Sequence, residues 1–193
     1  MVVPDILRGE TAANLKSKSD FFVWIKKYPW EPLIVNDLEA CTDFLVSKDL
    51  FSPSAAESTV GCIGFCWGAW VVAKVLNSSA ISPDTTKWGK SVSCGVGLHP
   101  STHVENSVFE RDEDKMLQEI LSPMLLLPAG NDKPNLKKGH PNVTYLESKG
   151  GESIEYPEMV HGWVSRGDLK KENVKRDNKD ALEKTTSFLE KTL

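Results

Sequence analysis

No stretch of this 193-residue chain approaches the ~20 consecutive apolar residues of a membrane span. Its first ten residues carry Pro4 and Asp5 where a secretory leader needs an unbroken apolar run. Cysteine is scarce: the four (Cys41, Cys62, Cys66, Cys94) lack both Cys-x-x-Cys spacing and the density of a disulfide scaffold. Positive charge is not in excess either. Lys and Arg number 23 against 27 Asp and Glu, a net −4, so no basic field exists to hold nucleic acid or an anionic membrane. Internal repeats, low-complexity segments and linkers are absent, and 1–193 reads as one domain. These absences point to a soluble cytoplasmic protein in a reducing compartment. The 40% apolar and 26% charged residues are those of an ordered globular chain.

What is there is an alternation of apolar blocks and helical patches. Val2 to Ile6 is a short apolar run ending in a turn at Arg8-Gly9. Phe21, Phe22, Trp24 and Ile25 predict a helix from about 19 to 28, stopped by Pro29. Leu38, Cys41, Leu45 and Val46 recur at helical spacing over 35–47, with Asn36 as cap. Thr59 to Phe65 reads as a buried strand and Trp67 to Leu76 as a buried helix. Then come a strand over 92–98, a charged helix over 110–120, and strands over 124–127 and 153–156. A terminal helix over 174–193 turns Val174, Ala181, Leu182, Phe188 and Leu189 inward. Short apolar strands separated by helices imply an α/β fold, a mostly parallel sheet covered on both faces.

Gly64-Phe65-Cys66-Trp67-Gly68 lies where the buried strand meets the buried helix. This is the nucleophile-elbow pattern G-x-S-x-G with Cys for Ser. Side chains at 64 and 68 are expected to collide with the neighbouring backbone of so tight a turn. The elbow lifts Cys66 to the carboxyl end of the sheet, where such sheets bind ligands. The helix starting at Trp67 aims its amides at the thiol, lowering its pKa and making the Trp67 amide an oxyanion donor. A buried structural cysteine also fits the pentapeptide. Cys41, Cys62 and Cys94 fall within apolar patterns and read as core.

A nucleophile needs a base, and the base an orienting group. Asp132 follows the strand over 124–127 in a turn, and His161 follows the last strand in Met159-Val160-His161-Gly162-Trp163. Nucleophile, acid and His thus occur in the order of α/β-hydrolases, each at a strand's carboxyl end. Asp132 as a plain turn residue and His161 as a loop histidine are the alternatives. His140 sits in a charged loop. His99 and His103 are spaced for a helical metal pair, but Pro100 favours a loop and no third ligand is evident, so no metal is expected.

With these residues in place, the chain resembles the dienelactone hydrolase (carboxymethylenebutenolidase-like) family. The likeness runs through Val3-Pro4-Asp5-Ile6-Leu7-Arg8-Gly9-Glu10, Gly61 to Gly68, Leu125 to Asp132, His161-Gly162-Trp163 and Arg166-Gly167. Gly97-Leu98-His99-Pro100 is similar to its eukaryotic members. The resemblance implies an α/β-hydrolase fold and a hydrolase of lactones or small esters, with Cys66 as nucleophile, His161 as base and Asp132 as its orienting acid. It also implies Arg8 and Arg166 beside a substrate carboxylate, and Trp67 and Trp163 lining the pocket. No cofactor is implied.

One departure stands out. The family carries a longer segment before the Val-Pro-Asp strand, holding the second oxyanion amide and a carboxylate that interacts with the nucleophile. Residues 2–6 are then expected either to pair directly with the nucleophile strand or to leave an open apolar edge, which invites self-association into a homodimer. Loss of an oxyanion donor costs ~10²–10³ in rate. The expectation is therefore a Cys-His-Asp hydrolase with altered catalysis or a sequence that begins late. The alternative is a catalytically impaired member acting by binding. A thiol redox role for Cys66 lacks a facing resolving thiol.

Overall fold

Four strands pair side by side and in parallel, in chain order: β1 (Val60–Phe65), β2 (Val92–Leu98), β3 (Met124–Leu127) and β4 (Glu152–Ser153). The register sets Gly64 beside Gly97, and Leu98 between Phe65 and Leu127. All four carboxyl ends therefore open on one edge of the sheet, which is where α/β sheets bring chemistry together. This computed structural model describes residues 1–52, 59–81, 87–88 and 91–193.

The two inner strands, β2 and β3, are buried almost throughout, as strands covered on both faces must be. Their side chains alternate between two cores, the consequence of a two-residue period. Met124 and Leu126 join Trp70, Val72, Leu76, Ile25, Ile34 and Leu117 on one face. Val96, Leu98, Leu125 and Leu127 join Trp163, Ala181 and Phe188 on the other. Helix α3 (Trp67–Ile81) lies against β2 because residue 95 is glycine: a Cβ there would stand 2.5 Å from Val72 Cγ1. The remaining helices are α1 (Lys18–Ile25), α2 (Val35–Ser47), α4 (Val104–Ser107), α5 (Glu113–Gln118), α6 (Pro141–Ser148), α7 (Trp163–Arg166) and α8 (Glu172–Thr192). Among the described residues, no helix is long and apolar enough to cross a membrane.

An ionic hub fixes the segment that follows β2. The buried Glu105 carboxylate accepts from Trp70 Nε1 at 2.7 Å and pairs with Arg111 Nε at 2.9 Å and Lys74 Nζ at 3.4 Å. Both α3 and the β2–α4 loop are thereby held to one point, which matters because each carries site residues.

Several expectations need correction. Residues 2–6 form no strand; the chain turns at Leu7 to Glu10, with Arg8 and Gly9 both left-handed. Pro4 lacks an amide for a ladder, and Ile6 and Leu7 pack on the first core instead. The side of β1 away from β2 pairs with no described strand, and Ile63 and Phe65 remain 41% exposed there. Asn36 is not a cap: a π-type turn (Trp30–Ile34) runs straight into α2, so no orphan amide waits for its side chain. The charged helix shortens to Glu113–Gln118 because Asp112 caps it, accepting from Lys115 N at 2.9 Å. β4 is two residues long, continued by a single bridge between Ala129 and Tyr156. Leu182 points outward, 46% exposed, into a surface groove with Leu169 and Thr186.

Candidate active site

Between the last residue of β1 and the first of α3 stands one residue, Cys66, with a left-handed φ of +54°. A non-glycine residue in that region is strained, and the surroundings must impose it. They do so through Cys66 N–H donating to Leu98 O (3.0 Å) and Cys66 O accepting from Ser101 N (3.0 Å) and Ala69 N (3.1 Å). Gly64 is obligatory, since its Cβ would run into the Gly68 carbonyl and lie 2.6 Å from Ala69 N. Gly68 differs from expectation: a Cβ there meets nothing within 4 Å, because it faces the open side of the elbow. The Trp67 amide, first in α3, donates to no described group.

The loops after β3 and β4 are stitched together. Gly130 N–H donates to Met159 O at 3.0 Å, and His161 N–H to Asn131 Oδ1 at 2.7 Å. Asp132 folds back on its own turn, one oxygen accepting from Ala129 N at 2.8 Å. Its other oxygen faces His161 Nδ1 at 2.6 Å, and His161 Nε2 faces Cys66 Sγ at 3.1 Å. Thiol, imidazole and carboxylate from three separate loops thus form one continuous chain of contacts.

Two further groups join them. Ser101 Oγ is 3.6 Å from Cys66 Sγ and 3.5 Å from His161 Nε2. His99, fully buried with φ +37°, sets its ring edge-on to His161 with centroids 5.0 Å apart. Ligand atoms of Cys66, His99 and His161 all lie within 4.8 Å of one another. His99 and Ser101 are not among the residues that the sequence pattern marked for the site; Pro100, Ser101 and Thr102 marked only a loop. The signal was their place directly after β2, the same strand end that marked Cys66, Asp132 and His161.

Burial of the Cys66 sulfur opposes ionisation, but hydrogen bonding from His161, the neighbouring His99 and Ser101, and the charge on His161, overcome it and bring the thiol down to about 5. Burial likewise opposes charge on His161, and the Asp132 and Cys66 contacts outweigh it, raising the imidazole to about 9. Both groups are therefore charged between those limits, a thiolate facing an imidazolium. Cys62 is the contrast: packed against the first core, it is pushed up by burial to about 12. Iodoacetamide should accordingly label Cys66 at a rate already near its plateau at neutral pH and falling only as pH drops through about 5. A rate that keeps climbing toward pH ~8.5, as for an ordinary thiol, contradicts this.

The other expected site residues are not links in this chain of contacts. Arg8 pairs with Asp37 at 2.8 Å. The Arg166 guanidinium lies against Gly162, the residue after His161, and has no ion-pair partner among the described residues. Trp67 is buried on Trp70 (5.8 Å) and Tyr28 (6.4 Å), and Trp163 is buried on Tyr156 (4.6 Å). His140 caps α6, accepting from Asn142 N at 3.2 Å. All four cysteines are free thiols.

A family model described as "Dienelactone hydrolase family" matches residues 1–193. No curated protein matches the chain. The chain belongs to the dienelactone hydrolase family, and its parallel sheet with flanking helices is that family's α/β-hydrolase fold.

Proposed function

We propose that this member of a hydrolase family cleaves a lactone or small carboxylic ester through Cys66, His161 and Asp132. The observation that supports it is the contact chain itself: Sγ to Nε2 at 3.1 Å, then Nδ1 to Oδ1 at 2.6 Å. The thiolate attacks the carbonyl carbon, and the carbonyl π pair moves onto oxygen, where the Trp67 amide donates to it. As that intermediate collapses, the C–O bond breaks and His161 gives its Nε2 proton to the departing alkoxide. In a lactone the alcohol stays tethered to the acyl group. Neutral His161 then takes a proton from water, whose oxygen attacks the thioester, and collapse returns acid and thiolate. Asp132 holds the ring in the tautomer that presents Nε2 to sulfur and stabilises its charged form. Arg166, against Gly162 and without an ion-pair partner among the described residues, suits a substrate carboxylate better than Arg8, which Asp37 already occupies. Trp67 and Trp163 act as packed walls.

Purified chain given an activated aryl ester and, separately, a dienelactone should turn both over above the rate in buffer. Absence of turnover from a folded chain overturns this reading. It would favour a binding role, for which the open edge of β1, with Ile63 and Phe65 exposed, is the supporting feature and a homodimer the first form to look for.

A further inference from the structure

We propose that Cys66, His99 and His161 form a zinc site, in which Zn²⁺ takes the place of the proton between sulfur and imidazole and silences the nucleophile. The functional consequence rests on the hydrolase reading above; the binding does not.

The donor set is the first argument. One thiolate and two imidazoles are ligands that Zn²⁺ takes in tetrahedral sites, leaving a fourth position for water. Such a site places its ligand atoms about 3.3–3.8 Å apart, from bond lengths of ~2.0–2.3 Å. Here sulfur and His161 Nε2 are already 3.1 Å apart, and all three ligand atoms lie within 4.8 Å of one another. Closing that span needs a His99 ring movement of ~1 Å.

The second argument is how each imidazole is held. A zinc-bound histidine engages its other nitrogen with a carboxylate, carbonyl or hydroxyl partner, which fixes the ring. His161 does so through Nδ1 and Asp132. His99 does so through Nε2, 3.4 Å from the Ser165 hydroxyl, and its Nδ1 is left with no hydrogen-bond partner although the side chain is fully buried. An unpaired buried ring nitrogen costs free energy unless something occupies it. In the hydrolase reading the His99 ring is one of three hydrogen-bonding neighbours of the thiol, whereas a cation held among Cys66, His99 and His161 makes it a ligand. Ser101 Oγ stands within outer-sphere reach of both Cys66 and His161.

The test uses metal alone, without substrate. Co²⁺ and Zn²⁺ are titrated into metal-free chain, with Co²⁺ reporting thiolate coordination by its charge-transfer absorption. One equivalent should bind, with the band lost in Cys66→Ala and displaced by Zn²⁺. His99→Asn, chosen because Asn tolerates the left-handed backbone at 99, should weaken binding by about 10²-fold, while Asp132→Asn weakens it by about 10–10²-fold. Circular dichroism shows that each variant is folded. Absence of the band in the parent chain, or unchanged affinity in folded His99→Asn, overturns the site. Hydrolysis by chain kept in chelator is read separately. A band without hydrolysis leaves the zinc site standing and removes the hydrolase reading; hydrolysis without a band does the reverse. In active enzyme, Zn²⁺ should inhibit and chelator restore.

Discussion

Cys66→Ala should reduce turnover of an activated aryl ester to the rate in buffer, a fall of about 10³-fold or more. The alanine removes the only thiol placed to form the acyl intermediate, and nothing beside it replaces a thiolate. Ser101 Oγ comes within 3.5 Å of His161 Nε2, but an alcohol is far less acidic than a thiol and Ser101 does not stand on the strand–helix elbow that presents Cys66. The left-handed backbone at 66 persists, since Leu98, Ala69 and Ser101 impose it through main-chain bonds. The variant should therefore fold, and its loss of activity reports chemistry. Cys62→Ala is the companion: that thiol is held protonated by burial and should be dispensable. Activity retained in Cys66→Ala, or lost equally in Cys62→Ala, contradicts the assignment.

The two glycines of the elbow should behave oppositely on substitution by alanine. At Gly64 the added methyl meets the backbone of Gly68 and Ala69, atoms that cannot swing away as a flexible side chain does. Either β1 shifts against β2 or the first turn of α3 opens, and both displace Cys66 from His161. Gly64→Ala should cost about 3 kcal/mol in urea unfolding, the upper end for a methyl forced into packed structure, and most of the activity with it. At Gly68 the methyl meets open space, the backbone is not left-handed, and alanine suits a helix better by up to ~1 kcal/mol. Gly68→Ala should be neutral or stabilising. A tolerated Gly64→Ala would mean that the elbow is looser than its backbone contacts indicate.

That asymmetry shows what the sequence carried and what it did not. The elbow pattern marked Cys66 because a strand, a single residue and a helix are all local features. That Asp132 and His161 come together near Cys66 was legible from chain order, since each follows a segment that the sheet turns into a neighbouring strand end. Gly68 was misread because whether a glycine is crowded depends on atoms distant in sequence. His99 was undervalued for a related reason. Pro100 marked its surroundings as a loop with no further ligand evident, whereas β2 delivers it beside His161, which lies 62 positions later in the chain. The family resemblance implied a strand over 2–6, but a strand exists only through its partner, and no described strand pairs with it. Arg8 was placed beside a substrate carboxylate only by the family resemblance; its guanidinium pairs with Asp37, a partner 29 positions away that no local pattern announces.

The most direct test of the account is to acid-quench the chain during turnover of an activated acetate ester and map acetyl groups by peptide mass. The account predicts a thioester on Cys66 that forms with the first turnover, decays when substrate is exhausted, and never forms in Cys66→Ala. Turnover without acylation of Cys66, or acetyl carried on Ser101 or another residue instead, would contradict it.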